Sequence, residues 1–320
     1  MRTETPPTIR LKDYRPSDYL IDDVSLDVSL QPTATSVVSV LKMRPNPASK
    51  NVNAPLRLDG QALELKSIAI NGEAIGANRY TVSANQLVID DVPVGPFELT
   101  IETQCNPDAN TALSGLYRSN GVYCTQCEAE GFRRITYFLD RPDVLATYQV
   151  RVEADRESVP VLLANGNPVE TGDLAGGRHF AVWQDPWPKP AYLFALVAGD
   201  LACVTDHFTT LSGRKVELRI YVEQGKQDRC DWAMESLKAS MRWDETAFGR
   251  EYDLDIFMIV AVSDFNMGAM ENKGLNVFND KYILARADIA TDQDYVNIEA
   301  IIAHEYFHNW TGNRITCRDW

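Results

Sequence analysis

From residue 24 to residue 30 apolar and polar side chains alternate strictly: Val24, Leu26, Val28 and Leu30 against Ser25, Asp27 and Ser29. A period of two sends the two sets to opposite faces, so the segment predicts a strand with one face buried. Shorter runs of strand character follow at residues 67–70, 80–82, 87–89, 97–101, 148–152, 161–164 and 179–183. Turn residues separate them, at Asn71-Gly72, Asn165-Gly166, Gly176-Gly177 and residues 93–96. Residues 1–200 therefore predict an all-β domain, antiparallel, shaped as a saddle or sandwich.

After Val222 the period changes. Cys230, Met234, Leu237, Met241 and Phe248 fall at roughly helical spacing, with Gly249 as a stop signal, which predicts a helix over 227–248. The unbroken apolar run Ile256–Val262 has strand length and suits a buried strand. A loop and a short strand near 275–278 come next. A final helix is expected to start at Thr291 or Asp292, either of which can cap it, and to run to about Trp310, with Gly312 just beyond. Residues 201–320 thus predict the opening of an α+β domain.

Acidic residues outnumber basic ones by 45 to 31, a formal net charge of −14. No basic stripe is available for phosphate, which weighs against nucleic acid and against an anionic membrane surface. The first fifteen residues are polar and proline-containing, without the apolar core of a signal peptide. No apolar run approaches the ~20 residues of a membrane-spanning helix. Six cysteines are too sparse here for a disulfide framework, and a cytoplasmic location is expected.

The chemistry concentrates near the end of the last predicted helix. His304 and His308 stand four apart in His304-Glu305-Tyr306-Phe307-His308, so a helix puts both imidazoles on one face, with Glu305 about 100° round. Two neutral histidines suit zinc, and a neighbouring glutamate can take a proton from water attacking a carbonyl. Ile298, Ile301, Ile302 and Phe307 predict a buried helix, where two histidines and a glutamate need partners that a metal supplies. A second segment, Asn266 to Asn272, follows the strand Ile256–Val262. Its Gly268 and Ala269 would allow close approach of a peptide backbone, and Glu271 could meet a positive charge.

Together these segments carry a resemblance to the aminopeptidase N family of cytoplasmic bacterial type, within the gluzincin zinc metallopeptidases. The carrying residues are the His304–His308 motif, Gly268-Ala269-Met270-Glu271-Asn272, the run Asn309-Trp310-Thr311-Gly312-Asn313-Arg314, and Gln126-Cys127-Glu128-Ala129-Glu130-Gly131-Phe132-Arg133. The resemblance implies a thermolysin-like catalytic domain and hydrolysis of N-terminal peptide bonds. It implies His304 and His308 as zinc ligands and Glu305 as general base. It implies Glu271 on the substrate's free α-amino group, helped by Glu128 and Gln126. Gly268 and Ala269 would wall the peptide backbone and Met267 the pocket for the first side chain, with Met270 and Asn272 completing the substrate-binding segment.

In that family the third zinc ligand is a glutamate on the following helix, which would lie beyond Trp320, as would the tyrosine that stabilises the oxyanion. The chain therefore resembles the N-terminal part of a longer enzyme, and these residues alone are expected to bind metal weakly. A monomer acting on peptides with a free N-terminus is expected. Two other readings stay open: a different gluzincin activity, endopeptidase or epoxide hydrolase, and an inactive β-rich interaction module. Cys124-Thr125-Gln126-Cys127 lacks the second cysteine pair of a zinc site, and His179 is expected to be a sheet residue.

Overall fold

Inward positions of the strand Tyr19–Ser29, among them Ile21, Val24, Leu26 and Val28, are buried, as the alternation predicts. The computed structural model describes residues 10–51 and 53–320; the first nine residues of the polar N-terminal stretch lie outside it. This strand sits inside an eight-stranded sheet ordered Asn167–Asp173, Arg178–Lys189, Ala146–Asp155, Tyr19–Ser29, Thr35–Pro45, Phe97–Cys105, Glu64–Ile70, Glu73–Ala74. The expectation of a purely antiparallel region needs correction. Tyr19–Ser29 pairs in parallel with Ala146–Asp155, Val24 against Tyr148 and Val28 against Val152. Well over a hundred residues separate the two, so no short turn dictates their direction.

A four-stranded sheet, Val161–Ala164, Leu196–Gly199, Val122–Gln126 and Gly115–Ser119, packs into the same core. A small third sheet joins Leu56–Asp59, Gln86–Ile89 and Tyr80–Val82.

The fourth sheet runs Leu201–Thr209, Lys215–Glu223, Ile256–Val262, Leu275–Asn279, Ala269–Met270. Its three middle strands are parallel and its two outer pairings antiparallel. All seven residues of Ile256–Val262 are buried because both faces are covered. Ile256, Met258, Val260 and Val262 face the first core; Phe257, Ile259 and Ala261 face a second, shared with helices α1 (Asp231–Phe248) and α2 (Asp292–Phe307). One strand therefore welds the β-rich part to the helical part.

Helix α1 ends as expected at Gly249, whose left-handed backbone (φ 63°) returns its N–H to the carbonyls of Asp244 and Glu245. Helix α2 starts at a capping box: the Thr291 hydroxyl accepts from the Asp294 N–H while the Asp294 carboxylate accepts from the Thr291 N–H.

Two expectations about α2 are corrected. It stops at Phe307 rather than near Trp310, with His308 as its cap. It is also buried on one side only: Ile298, Ile302, Glu305 and Tyr306 face inward, Ile301 is half-covered, and His304 and Phe307 are exposed. The outer face carries an aromatic cluster instead, Phe307 lying against Trp243 and Phe248 with ring centroids 6.5 and 5.8 Å away.

The sequence-predicted turn at Asn165-Gly166 supports both parts of the molecule. Asn165 donates to the carbonyls of Leu193 and Lys273 and accepts from the Ala195 N–H. Gly166 has φ 94°, and a Cβ there would stand 2.1 Å from the Gln184 carbonyl oxygen. Gly166→Ala should therefore destabilise the protein by at least roughly 2 kcal/mol, from backbone strain plus overpacking. An unchanged urea midpoint would show that this turn is not tightly set.

Candidate active site

The end of α2 sets the site. Four positions apart, His304 and His308 bring their Nε2 atoms to 3.0 Å, with ring planes nearly perpendicular. His308 Nδ1 lies 2.7 Å from the Thr311 carbonyl, which can only accept, so Nδ1 carries the proton and Nε2 is the ring nitrogen turned toward His304. Desolvation lowers the His304 pKa, His308 adds to this, and Glu271 opposes it. The ring is thereby biased toward the neutral form that ligates metal.

Two imidazole nitrogens on one tetrahedral zinc stand about 3.3 Å apart at ordinary Zn–N lengths. The observed approach and the fixed tautomer fit that donor set. Among the described residues no group of three or more His, Cys, Asp or Glu side chains is gathered to hold an ion, so the pair would supply two ligands.

Glu305, expected beside the two histidines, is almost fully buried on the inner side of α2. Burial pushes its pKa up to about 8, and the charges of Glu271 and Glu128 add to the effect. Glu128, half-buried in the turn after Val122–Gln126, is also raised, first by burial and then by Glu271, with His308 opposing. Glu128, Glu271, Glu305 and the two histidines thus share one electrostatic neighbourhood, although they come from three segments of the chain.

The other residues singled out from sequence lie at the end of the strand Val122–Gln126 and along residues 267–272. Gln126 is buried; its Nε2 contacts Met267 Sδ at 3.2 Å and its Oε1 has no partner. Met267 is 42% exposed, available to a ligand. Ala269–Met270 forms the outermost strand of the fourth sheet, paired only through Ala269–Phe278 and Met270–Val277. Gly268 continues that edge, its carbonyl accepting from the Asn279 N–H. Met270 and Asn272 are fully enclosed, the first in the core, the second with neither side-chain polar atom paired. The loop before Gly268 is tied down by Ser119 and Tyr117, which donate to Asp264.

Sequence reasoning left several holding residues unassigned. Lys273, fully buried, donates to Asp253 and, at 2.8 Å, to Asn309. Arg314 donates to the same aspartate and lies 3.8 Å over the Trp187 ring. The Asn313 side chain donates to the carbonyls of Glu271 and His308. Asn309, Asn313 and Arg314 all belong to the run that carried the resemblance, which was their only signal. The other two histidines stand apart. His179 is buried in a strand with Nε2 2.7 Å from the Val159 carbonyl, and His207 lies in the strand Leu201–Thr209. All six cysteines are free thiols.

Residues 19–193 match the peptidase M1 N-terminal domain and residues 232–320 the peptidase family M1 domain. The chain is 58% identical over 320 residues to aminopeptidase N of Caulobacter vibrioides and 57% identical over 318 residues to aminopeptidase N of Escherichia coli. It spans 36% of the length of each of these relatives, which cover 100% and 99% of it. The crystal structure of Legionella pneumophila aminopeptidase A in complex with aspartic acid is similar over 98% of this chain and 37% of that one. Its TM-score is 0.94 at 37% identity.

One glycine guards the His308 seat. A Cβ on Gly312 would stand 2.8 Å from His308 Nδ1 and 3.1 Å from both its Cβ and its carbonyl oxygen. Gly312→Ala is expected to displace the ring and, if the histidine pair takes zinc, to weaken that binding by roughly 10- to 100-fold. Competition against a chromophoric chelator measures this; an unaltered affinity would mean that the Thr311 carbonyl does not set the ligand.

Proposed function

The chain belongs to peptidase family M1, and from that premise we propose that it carries the substrate-binding and proton-transfer half of a zinc aminopeptidase site. The substrates are peptides with a free N-terminus, and the reaction hydrolyses the first peptide bond. The observation that carries this reading is the convergence of Glu128, Glu271 and Glu305 on the imidazoles of His304 and His308. Such a site has an excess of negative charge and calls for cations, a divalent ion at the histidines and an ammonium at the outer carboxylates.

His304 and His308 would hold one zinc ion. When bound, zinc supplies Lewis-acid polarisation of a carbonyl and acidifies water. Glu305 takes a proton from the water that attacks the carbonyl carbon and gives it to the departing amine nitrogen. A carboxylate whose pKa is raised toward neutrality suits both halves of that transfer. Glu271 and Glu128 hold the α-ammonium, and Met267 lines the first side-chain pocket with Gln126 behind it. The edge formed by Gly268 and Ala269 offers unpaired backbone to an extended peptide, which can add to a sheet edge. Fixing the amine relative to the histidines leaves only the first peptide bond within reach.

An endopeptidase or epoxide hydrolase built on the same motifs is not favoured by relatives named aminopeptidases, nor by the carboxylates facing the histidines. An inactive interaction module has no use for a fixed His308 tautomer. We place the division of the chain at residue 200, where the hairpin of the fourth sheet begins, and we read the protein as a cytoplasmic monomer. Six free thiols suit a reducing compartment. No described helix is long and apolar enough to cross a membrane.

In the intact protein Glu305→Gln should keep the metal and lose roughly two to four orders of magnitude in kcat on alanine p-nitroanilide. Near-normal turnover would remove Glu305 from the proton-transfer role. Glu271→Ala should depress cleavage of free peptides while leaving any cleavage of N-acetylated ones unchanged. If the unmutated protein cleaved acetylated and free peptides equally well, there would be no amine clamp.

A further inference from the structure

Glu271 and His308 lie on separate segments, one on the sheet-edge loop and one at the cap of α2, yet the reading above requires a fixed span between them. One side chain bridges them. Asn313 Nδ2 donates to the Glu271 carbonyl at 3.0 Å and to the His308 carbonyl at 3.1 Å, using both of its N–H groups. The Asn313 backbone N–H also donates to the His308 carbonyl at 2.8 Å, so the residue is itself anchored to the helix cap. Asn313 is 4% exposed, and its side-chain oxygen, Oδ1, is buried with no donor to accept from. A buried amide that leaves its oxygen unpaired while spending both protons on two carbonyls is costly unless those two contacts matter.

The surroundings restrict the bridge further. Tyr192 donates to the Gly312 carbonyl at 3.3 Å, and the Thr311 carbonyl holds His308 Nδ1. The turn therefore cannot slide without also disturbing the imidazole.

We propose that Asn313 is a positioning residue: its side-chain amide joins the backbone of Glu271 to that of His308 and so sets the distance from the amine-binding carboxylate to the histidine pair. This inference rests on the aminopeptidase reading. A shift on the order of 1 Å at a reacting centre can cost about 100-fold in rate, and no other described side chain donates to both carbonyls.

The test is a double-mutant cycle on the intact protein, read by binding as well as turnover. L-alaninamide, which carries the free amine and no scissile anilide, is titrated calorimetrically into wild type, Asn313→Ala, Glu271→Ala and the double variant. Asn313→Ala should weaken alaninamide roughly tenfold, and should cost almost nothing further once Glu271 is alanine, because the two act as one unit. With alanine p-nitroanilide the same non-additivity should appear in kcat/KM, while zinc content stays constant. Additive losses in the cycle would overturn the proposal, since a merely structural asparagine weakens both backgrounds alike. Asn313→Ser, which keeps one hydroxyl donor, covers the case in which Asn313→Ala fails to fold: partial recovery of alaninamide affinity is expected, and affinity equal to wild type would overturn the bridge. Failure of the wild-type protein to distinguish free from acetylated substrates would instead defeat the aminopeptidase reading on which this rests.

Discussion

A lysine ammonium removed from water must have its charge met by protein groups, and Lys273 is such a group. Burial drives its pKa down, and Asp253 pulls it back up. The pairing reaches across the molecule. Asp253 comes from the linker after α1, Lys273 from the loop that carries Glu271, and Asn309 and Arg314 from the turn after α2. Trp187 of the eight-stranded sheet supports Arg314 with its ring and donates to the Asp253 carbonyl at 3.1 Å. Leaving such a buried charge without its partner costs on the order of 3–5 kcal/mol. The Glu271 loop and the α2 turn therefore move together or not at all.

The site beside this junction is built the opposite way. At the junction each buried charge faces its opposite; at the site Glu128, Glu271 and Glu305 face one another, and none forms an ion pair among the described residues. Like charges held close raise pKa values and cost stability. Such an arrangement persists when rigid surroundings over-determine it and when a ligand relieves it. The balanced junction supplies the rigidity, and the proposed zinc ion and substrate ammonium supply the relief.

Strong local periodicity made much of the fold legible. The alternation at 24–30, the apolar run Ile256–Val262, the Gly249 stop and the Thr291 cap each placed an element, because each is dictated by neighbours in sequence. The strand Thr35–Pro45 went unread because a serine holds an inward position: Ser39 is buried and pairs with the Thr136 hydroxyl at 3.0 Å. The parallel pairing of Tyr19–Ser29 with Ala146–Asp155 was invisible for a different reason. It depends on a contact between distant segments that no local pattern encodes. The open outer face of α2 was misjudged because apolar residues at helical spacing say which side can be buried, not whether both sides are.

The same distinction separates the proposed reacting residues from those that hold them. His304, Glu305 and His308 declared themselves because a helix places a four-residue spacing on one face, so their chemistry can be argued from the sequence alone. Lys273, Asn309 and Asn313 carry no such signature, since each acts on a group far away in the chain. Removing a single residue from a peptide demands a fixed distance between the group that grips the amine and the group that attacks the carbonyl. Neither group can set that distance from its own segment. The turn from His308 to Arg314 meets both demands, holding the imidazole tautomer through Thr311 and the Glu271 backbone through Asn313. On the proposed reading, an asparagine with no chemistry of its own can therefore matter to the reaction as much as the residues assigned to perform it.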